Sequence, residues 1–132
     1  MSMKIMVGYN GGEVGIRSLE IARDYALLCN AEMYVMTSME GGPKEKIADV
    51  QKANADLKFA RELMEAAHLP CIAEQSVRGY SPGEDIVELA REKNIDHIFL
   101  GIKKKSRAQK LIMGSTARYV ILKAHCPVTT IN

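Results

Sequence analysis

The segment Gly101-x2-Lys104-x9-Gly114-Ser115-Thr116 holds the side chains best suited to chemistry. Gly101 closes the apolar run Ile98-Phe99-Leu100, which reads as a strand. Lys103, Lys104, Lys105, Arg107 and Lys110 follow, and Gly114-Ser115-Thr116 then reads as a helix start. A helix start offers unpaired N–H groups and the positive end of a dipole. Ser115 and Thr116 add hydroxyl donors, and Gly114 lets backbone come close to an anion. The combination suits two or three phosphates. It is not a Walker A loop, which needs GxxxxGK[ST]. Taken alone, Gly114-Ser115-Thr116 is equally a helix cap without any ligand, and the lysine run a solvated loop.

Charge points to the same end of the chain. Residues 1–96 hold 11 basic and 16 acidic side chains, whereas residues 97–132 hold 7 basic and none acidic. An anionic partner is therefore favoured near the last third. The 132 residues are about one domain, residues 1–132, with 47% apolar and 26% charged side chains. That balance excludes a disordered tail, a collagen-like fibre and a disulfide scaffold. No apolar run approaches the roughly 18 residues of a membrane span. The start, Met1-Ser2-Met3-Lys4-Ile5, enters a strand-like run directly, so no signal peptide is read. Cys29, Cys71 and Cys126 form no CxxC pair and read as thiols in a reducing cytoplasm.

The elements that must position these residues alternate. Ile5-Met6-Val7-Gly8-Tyr9 predicts a buried strand ending in the turn Asn10-Gly11-Gly12. A helix follows with Ile16, Leu19, Ala22 and Ala26 inward, ending near Asn30, and then a strand over Met33–Thr37. Val50, Ala53, Leu57, Ala60, Met64 and Ala67 predict a helix over 44–68, stopped by Leu69-Pro70. A third strand spans Cys71–Val77. Ser81, Pro82 and Glu84 predict a capping box and a helix to about Lys93, ended by Asn94. A fourth strand spans His97–Leu100. The last helix has Ala117, Val120, Ile121 and Ala124 inward, and Val128–Ile131 is the final strand, at a sheet edge. This order predicts an α/β fold: an open five-stranded parallel sheet, Rossmann-like and doubly wound, with helices on both faces. Ligands of such sheets bind at the carboxyl ends of the strands, where strand order reverses.

Three stretches resemble the universal stress protein domain: Ile5–Glu13, Ile95–Gly101, and Gly114-Ser115-Thr116 with the ending Ala124-His125-Cys126-Pro127-Val128. The resemblance covers essentially the whole chain. It implies a small α/β domain, usually a dimer. One branch of the family binds ATP through G-x2-G-x9-G-[ST] and another lacks the motif and does not. By this resemblance Gly101, Gly114 and Ser115 take the first-glycine, third-glycine and hydroxyl positions. Gly8, Tyr9 and Asn10 match the adenine and ribose loop, and Ser38 falls about where the family contacts the adenine. Lys103, Lys104 and Thr116 complete the candidate nucleotide site. Two residues depart from the pattern. Lys104 replaces the middle glycine, where its β-carbon crowds a phosphate or its ammonium neutralises one. Asn10 stands where the nucleotide binders usually carry Asp; its amide keeps one acceptor for a ribose hydroxyl.

The leading expectation is a cytoplasmic, adenine-nucleotide (ATP or AMP) binding regulatory homodimer, paired through Val128–Ile131, without efficient catalysis. No catalytic residue is assigned. The loops show no evident acid for Mg²⁺, so phosphoryl transfer has little to drive it. The alternative is a nucleotide-independent dimeric interaction module of the same fold, favoured by Lys104 and Asn10. A weak ATPase is a third reading and nucleic-acid binding a distant fourth. His68, His97 and His125 lack ligand spacing, so no metal site is expected. Glu13 and Arg17 read as a surface pair, Asp96 as a turn acid, and Met6, Met33, Met36, Met64 and Met113 as core filler.

Overall fold

In the computed structural model, which describes residues 2–39, 41–42, 46–102 and 113–132, strands and helices alternate along the chain. The order is β1 (Lys4–Gly8), α1 (Gly12–Cys29), β2 (Glu32–Met39), α2 (Ile47–Ala66), β3 (Cys71–Val77), α3 (Pro82–Glu92), β4 (His97–Gly101), α4 (Ser115–Lys123) and β5 (Val128–Ile131). The sheet runs β3-β2-β1-β4-β5 and every pairing is parallel. Lys4 pairs with Glu32 on one side of β1, and Ile5 with His97 on the other. Strand order therefore reverses between β1 and β4.

Two apolar layers follow from that order. Ile5, Val7, Val35 and Phe99 on one face of the sheet pack with Leu19, Ala22 and Ala26 of α1 and Leu57, Ala60 and Met64 of α2. Met6, Met36, Ile98 and Leu100 on the other face pack with Ile86, Leu89 and Ala90 of α3 and Val120 of α4. Alternate residues of one strand thus serve opposite cores, as a parallel strand covered on both faces requires. Met6, Met33, Met36 and Met64 are buried, in keeping with core filler, whereas Met113, ahead of the last helix, is only half-buried.

The helix ends obey local chemistry. Asn30 and Asn94 take left-handed backbone (φ 53° and 56°), as does His68 (57°) after α2. Pro82 occupies the first turn of α3. The predicted capping box is not formed: the Ser81 hydroxyl donates to the Glu84 carboxylate at 2.9 Å instead, and caps no backbone N–H. Three further expectations are corrected. Ile121 is exposed, because α4 spans only Ser115–Lys123 and offers the sheet a stripe of Ala117 and Val120. Arg17 donates to the Asn132 carbonyl, and no Glu13–Arg17 ion pair is found among the described residues; the guanidinium reaches across from α1 to the residue after β5. The described helix α2 runs over Ile47–Ala66, shorter than 44–68, and Lys44 lies outside the described residues. Asp96 is a turn acid as expected; its carboxylate accepts from the Lys4 N–H at 2.8 Å.

The two edges of the sheet differ. Met33 N–H takes the Pro70 carbonyl, so alternate carbonyls of β3 face β2 and the Ala73 carbonyl faces outward. Arg61 of α2 donates to that carbonyl at 2.9 Å. Gln75 reaches back to α2, donating to the Val50 carbonyl and the Asn54 side chain. β5 forms the opposite edge, as expected.

Candidate functional site

A cavity of about 270 Å³ opens at the carboxyl ends of β1, β2 and β4, at the reversal of strand order. Helix N-termini surround it. Val14 and Gly15 come from the first turn of α1, Pro82 and Ile86 from the start of α3, and Thr116 and Ala117 from the start of α4. Three helix dipoles thus direct their positive ends to one space, which favours an anion there. Leu100, Ile86, Pro82 and Met36 give apolar wall, which suits a flat ring.

Close packing holds the mouth open. A β-carbon on Gly8 would come within 2.6 Å of Leu100 and 3.0 Å of Ile86. One on Gly101 would come within 2.8 Å of Val14 and 3.1 Å of the Ser18 hydroxyl. Both strands must therefore end in glycine for α1 and α3 to approach. The loop after β1 is tied down from two sides. Tyr9 N–H donates to the Met36 carbonyl at 2.9 Å, and the Thr37 hydroxyl donates to the Tyr9 carbonyl at 2.6 Å. Lys52 of α2 donates to the Asn10 carbonyl at 3.3 Å and pairs with Asp56 at 2.7 Å.

Of the residues singled out from sequence, Gly8, Tyr9, Asn10, Ser38, Gly101 and Thr116 come together around the cavity. The Tyr9 side chain belongs to the core beneath α1; burial, and then the Asp56 carboxylate, push its hydroxyl pKa up. Gly114 and Ser115 are exposed at the start of α4, beside the lining rather than in it. A β-carbon on Gly114 would meet nothing among the described residues. Lys103 and Lys104, with Lys105, Arg107 and Lys110, lie outside the described residues.

Sequence reasoning missed the polar group behind the cavity. Asp85, in the first turn of α3, is fully buried. One carboxylate oxygen accepts from the Ser38 hydroxyl at 2.6 Å. The other takes Arg78 Nε at 2.9 Å and Nη2 at 2.8 Å. Arg78 also reaches both oxygens of Glu92 at 3.0 and 2.9 Å and lies over the Tyr80 ring. Burial pushes the Asp85 carboxyl up, but the Ser38 and Ser76 hydroxyls and the Arg78 guanidinium outweigh it and hold it below the usual carboxylate range. Ser76 Oγ is buried and makes no hydrogen bond of good geometry, so its share is that of a nearby dipole. The clue was Asp85 itself: an acid four residues before Leu89, on the apolar stripe of α3.

The universal stress protein family model matches residues 1–132. The chain belongs to this family. A universal stress protein of Methanocaldococcus jannaschii is 27% identical over 140 residues, covering 98% of this chain and 81% of that protein. A solved universal stress protein from Archaeoglobus fulgidus is 34% identical, with a TM-score of 0.88, covering 100% of this chain and 95% of that one. A structure of the Archaeoglobus fulgidus universal stress protein in complex with dAMP is 30% identical, with a TM-score of 0.83, covering 100% of this chain and 98% of that one. The α/β fold and its five-stranded parallel sheet are thus those of universal stress proteins. Among the described residues no group of His, Cys, Asp and Glu could hold a metal ion. No described helix is long and apolar enough to cross a membrane.

Proposed function

We propose that this universal stress protein binds an adenine nucleotide, AMP or ATP, as a regulatory ligand without efficient turnover. The observation that carries the reading is the convergence of three helix N-termini on the cavity between β1 and β4. The phosphates face Gly101 and the start of α4, and the base lies toward Met36, Thr37 and Ser38, against Pro82 and Ile86. Asn10 accepts from a ribose hydroxyl. The dAMP complex of the Archaeoglobus fulgidus protein supports the ligand class. The described lining carries no carboxylate, so nothing there places a divalent metal or orients an attacking water.

The test is calorimetric titration with ATP, ADP and AMP, with and without Mg²⁺. Binding tighter than about 100 μM, weakened by Gly114→Ala or Ser115→Ala, supports the reading. Absence of heat up to millimolar nucleotide refutes it. Asn10, an amide at the ribose position, favours the alternative of a nucleotide-independent module. Recovery of binding in Asn10→Asp with Lys104→Gly would then show a site switched off by those two residues. Phosphate release above the rate in buffer alone would overturn the non-catalytic part.

We further propose a homodimer through the β5 edge. The support is that the outer side of Val128–Ile131 pairs with no other strand among the described residues, together with exposed Ile121 and Leu122 on neighbouring α4. A monomer mass by light scattering at tens of micromolar would contradict this. Three free thiols fit a reducing compartment, and we place the protein in the cytoplasm.

A further inference from the structure

We propose that Asp85 sets the base preference of this site by fixing the direction of the Ser38 hydroxyl. The inference rests on the adenine-nucleotide reading above and names what enforces it.

Ser38 lines the cavity at the end of β2, whereas Asp85 stands behind it and does not line it. A serine hydroxyl has one proton and two lone pairs. That proton is committed to Asp85 at 2.6 Å. Asp85 cannot return one, because it is a carboxylate ion-paired with Arg78, whose Nε donates to its other oxygen at 2.9 Å and whose Nη2 lies 2.8 Å from it, and an ionised carboxylate only accepts. Ser38 Oγ therefore meets the cavity as an acceptor only. Thr37, its neighbour in the lining, is spent in the same way, donating to the Tyr9 carbonyl at 2.6 Å. Both hydroxyls at the base end thus offer lone pairs and no proton.

A base with an exocyclic amine, as in a 6-aminopurine, supplies the missing donor. A 6-oxopurine of the same shape puts an acceptor at the 6-position, against these acceptors, and carries its edge donor one atom away at N1. A site built to pair with a donor rejects the isostere that lacks it more strongly than an apolar pocket can. Asp85 does not line the cavity. It is a positioning residue acting through Ser38.

The experiment compares AMP with inosine monophosphate, which exchange a 6-amine and an accepting N1 for a 6-oxo group and a donating N1–H and share the sugar and phosphate. Purine riboside monophosphate, which lacks only the amine, isolates the 6-position and should bind as weakly as the 6-oxopurine. Calorimetry on the full chain should show AMP binding about tenfold or more tighter. Ser38→Ala, which leaves Asp85 paired with Arg78, should bring the ratio of the two affinities close to one. In Asp85→Asn the new amide donates to Ser38, frees its proton to point at the ligand, and should shrink or reverse the ratio. A merely structural role would weaken both nucleotides alike and leave the ratio unchanged, and that result overturns the inference. So does equal binding of both nucleotides by the unmodified protein. Binding of neither nucleotide defeats the adenine-nucleotide reading and this inference with it.

Discussion

Replacing Arg78 by methionine removes the cation from a buried carboxylate while keeping much of the side-chain volume. The cost can be sized from the geometry. A fully buried pair broken on one side costs about 3–5 kcal/mol, and an exposed pair about 0–1. Asp85 is fully buried and the Arg78 side chain is 31% exposed, so the pair falls between these limits. Asp85 also keeps its bond from Ser38. About 2–3 kcal/mol at pH 7 is expected, or roughly 6–12 °C in melting midpoint for a chain of this length. The pH dependence identifies the cause. Asp85 has a folded pKa below its unfolded value near 3.8, so its contribution is complete above that value. It is lost as pH falls through the folded pKa. Without Arg78, burial opposes the charge with less resistance and the folded pKa rises. The stability gap between the two proteins must therefore narrow as the medium is acidified from pH 7 toward the carboxylate range. Urea unfolding at a series of pH values measures it. An equal gap at pH 7 and near pH 3 would refute the reasoning. So would an undiminished cost of Arg78→Met in an Asp85→Asn background.

The two motif glycines should behave oppositely. Gly101→Ala forces a β-carbon against Val14 and Ser18 and should cost about 1–3 kcal/mol by thermal or urea unfolding. Gly114→Ala meets nothing among the described residues and should change stability by less than about 0.5 kcal/mol, its effect confined to nucleotide affinity. Burial pushes the Cys71 thiol up to about 11. An alkylating reagent at pH 8 should therefore label Cys71 far more slowly in the folded protein than in urea, as peptide mass mapping would show. Labelling at equal rates in both states would contradict that expectation.

Much of the fold is legible because its signals are local. β1 and β4 are short apolar runs that end in glycine, and Leu57, Ala60 and Met64 recur at helical spacing. Asn30 and Asn94 terminate helices through their own tolerance of left-handed backbone. What escaped depends on contacts far apart in sequence. Asp85 reads as a first-turn acid until Ser38, 47 residues away, and Arg78 are brought against it. Arg17 is one helical turn from Glu13, yet its bond goes to Asn132 at the far end of the chain. The β3 run looks like an ordinary core strand, but as an edge it leaves Ile72 and Val77 exposed. Within the site, residues at strand ends were found from Gly8, Asn10 and Gly101. The wall from Val14, Pro82 and Ile86 was not, because apolar residues carry no mark of which cavity they face.

The unequal edges of the sheet bear on how many copies can join. At β3 the outward carbonyl of Ala73 is already satisfied by Arg61, and Gln75 is turned back onto α2. A strand arriving there must displace an internal cation before it gains a ladder bond. β5 carries no equivalent guard among the described hydrogen bonds from α4. Extension of the sheet thus has a preferred direction. When two copies meet through the same edge about a two-fold axis, that edge is consumed on both, and each outer rim is a guarded β3. Assembly by strand addition then closes at two copies instead of running on into a fibre. Arg61, remote from the cavity, already holds an acceptor that a copy adding at β3 would need.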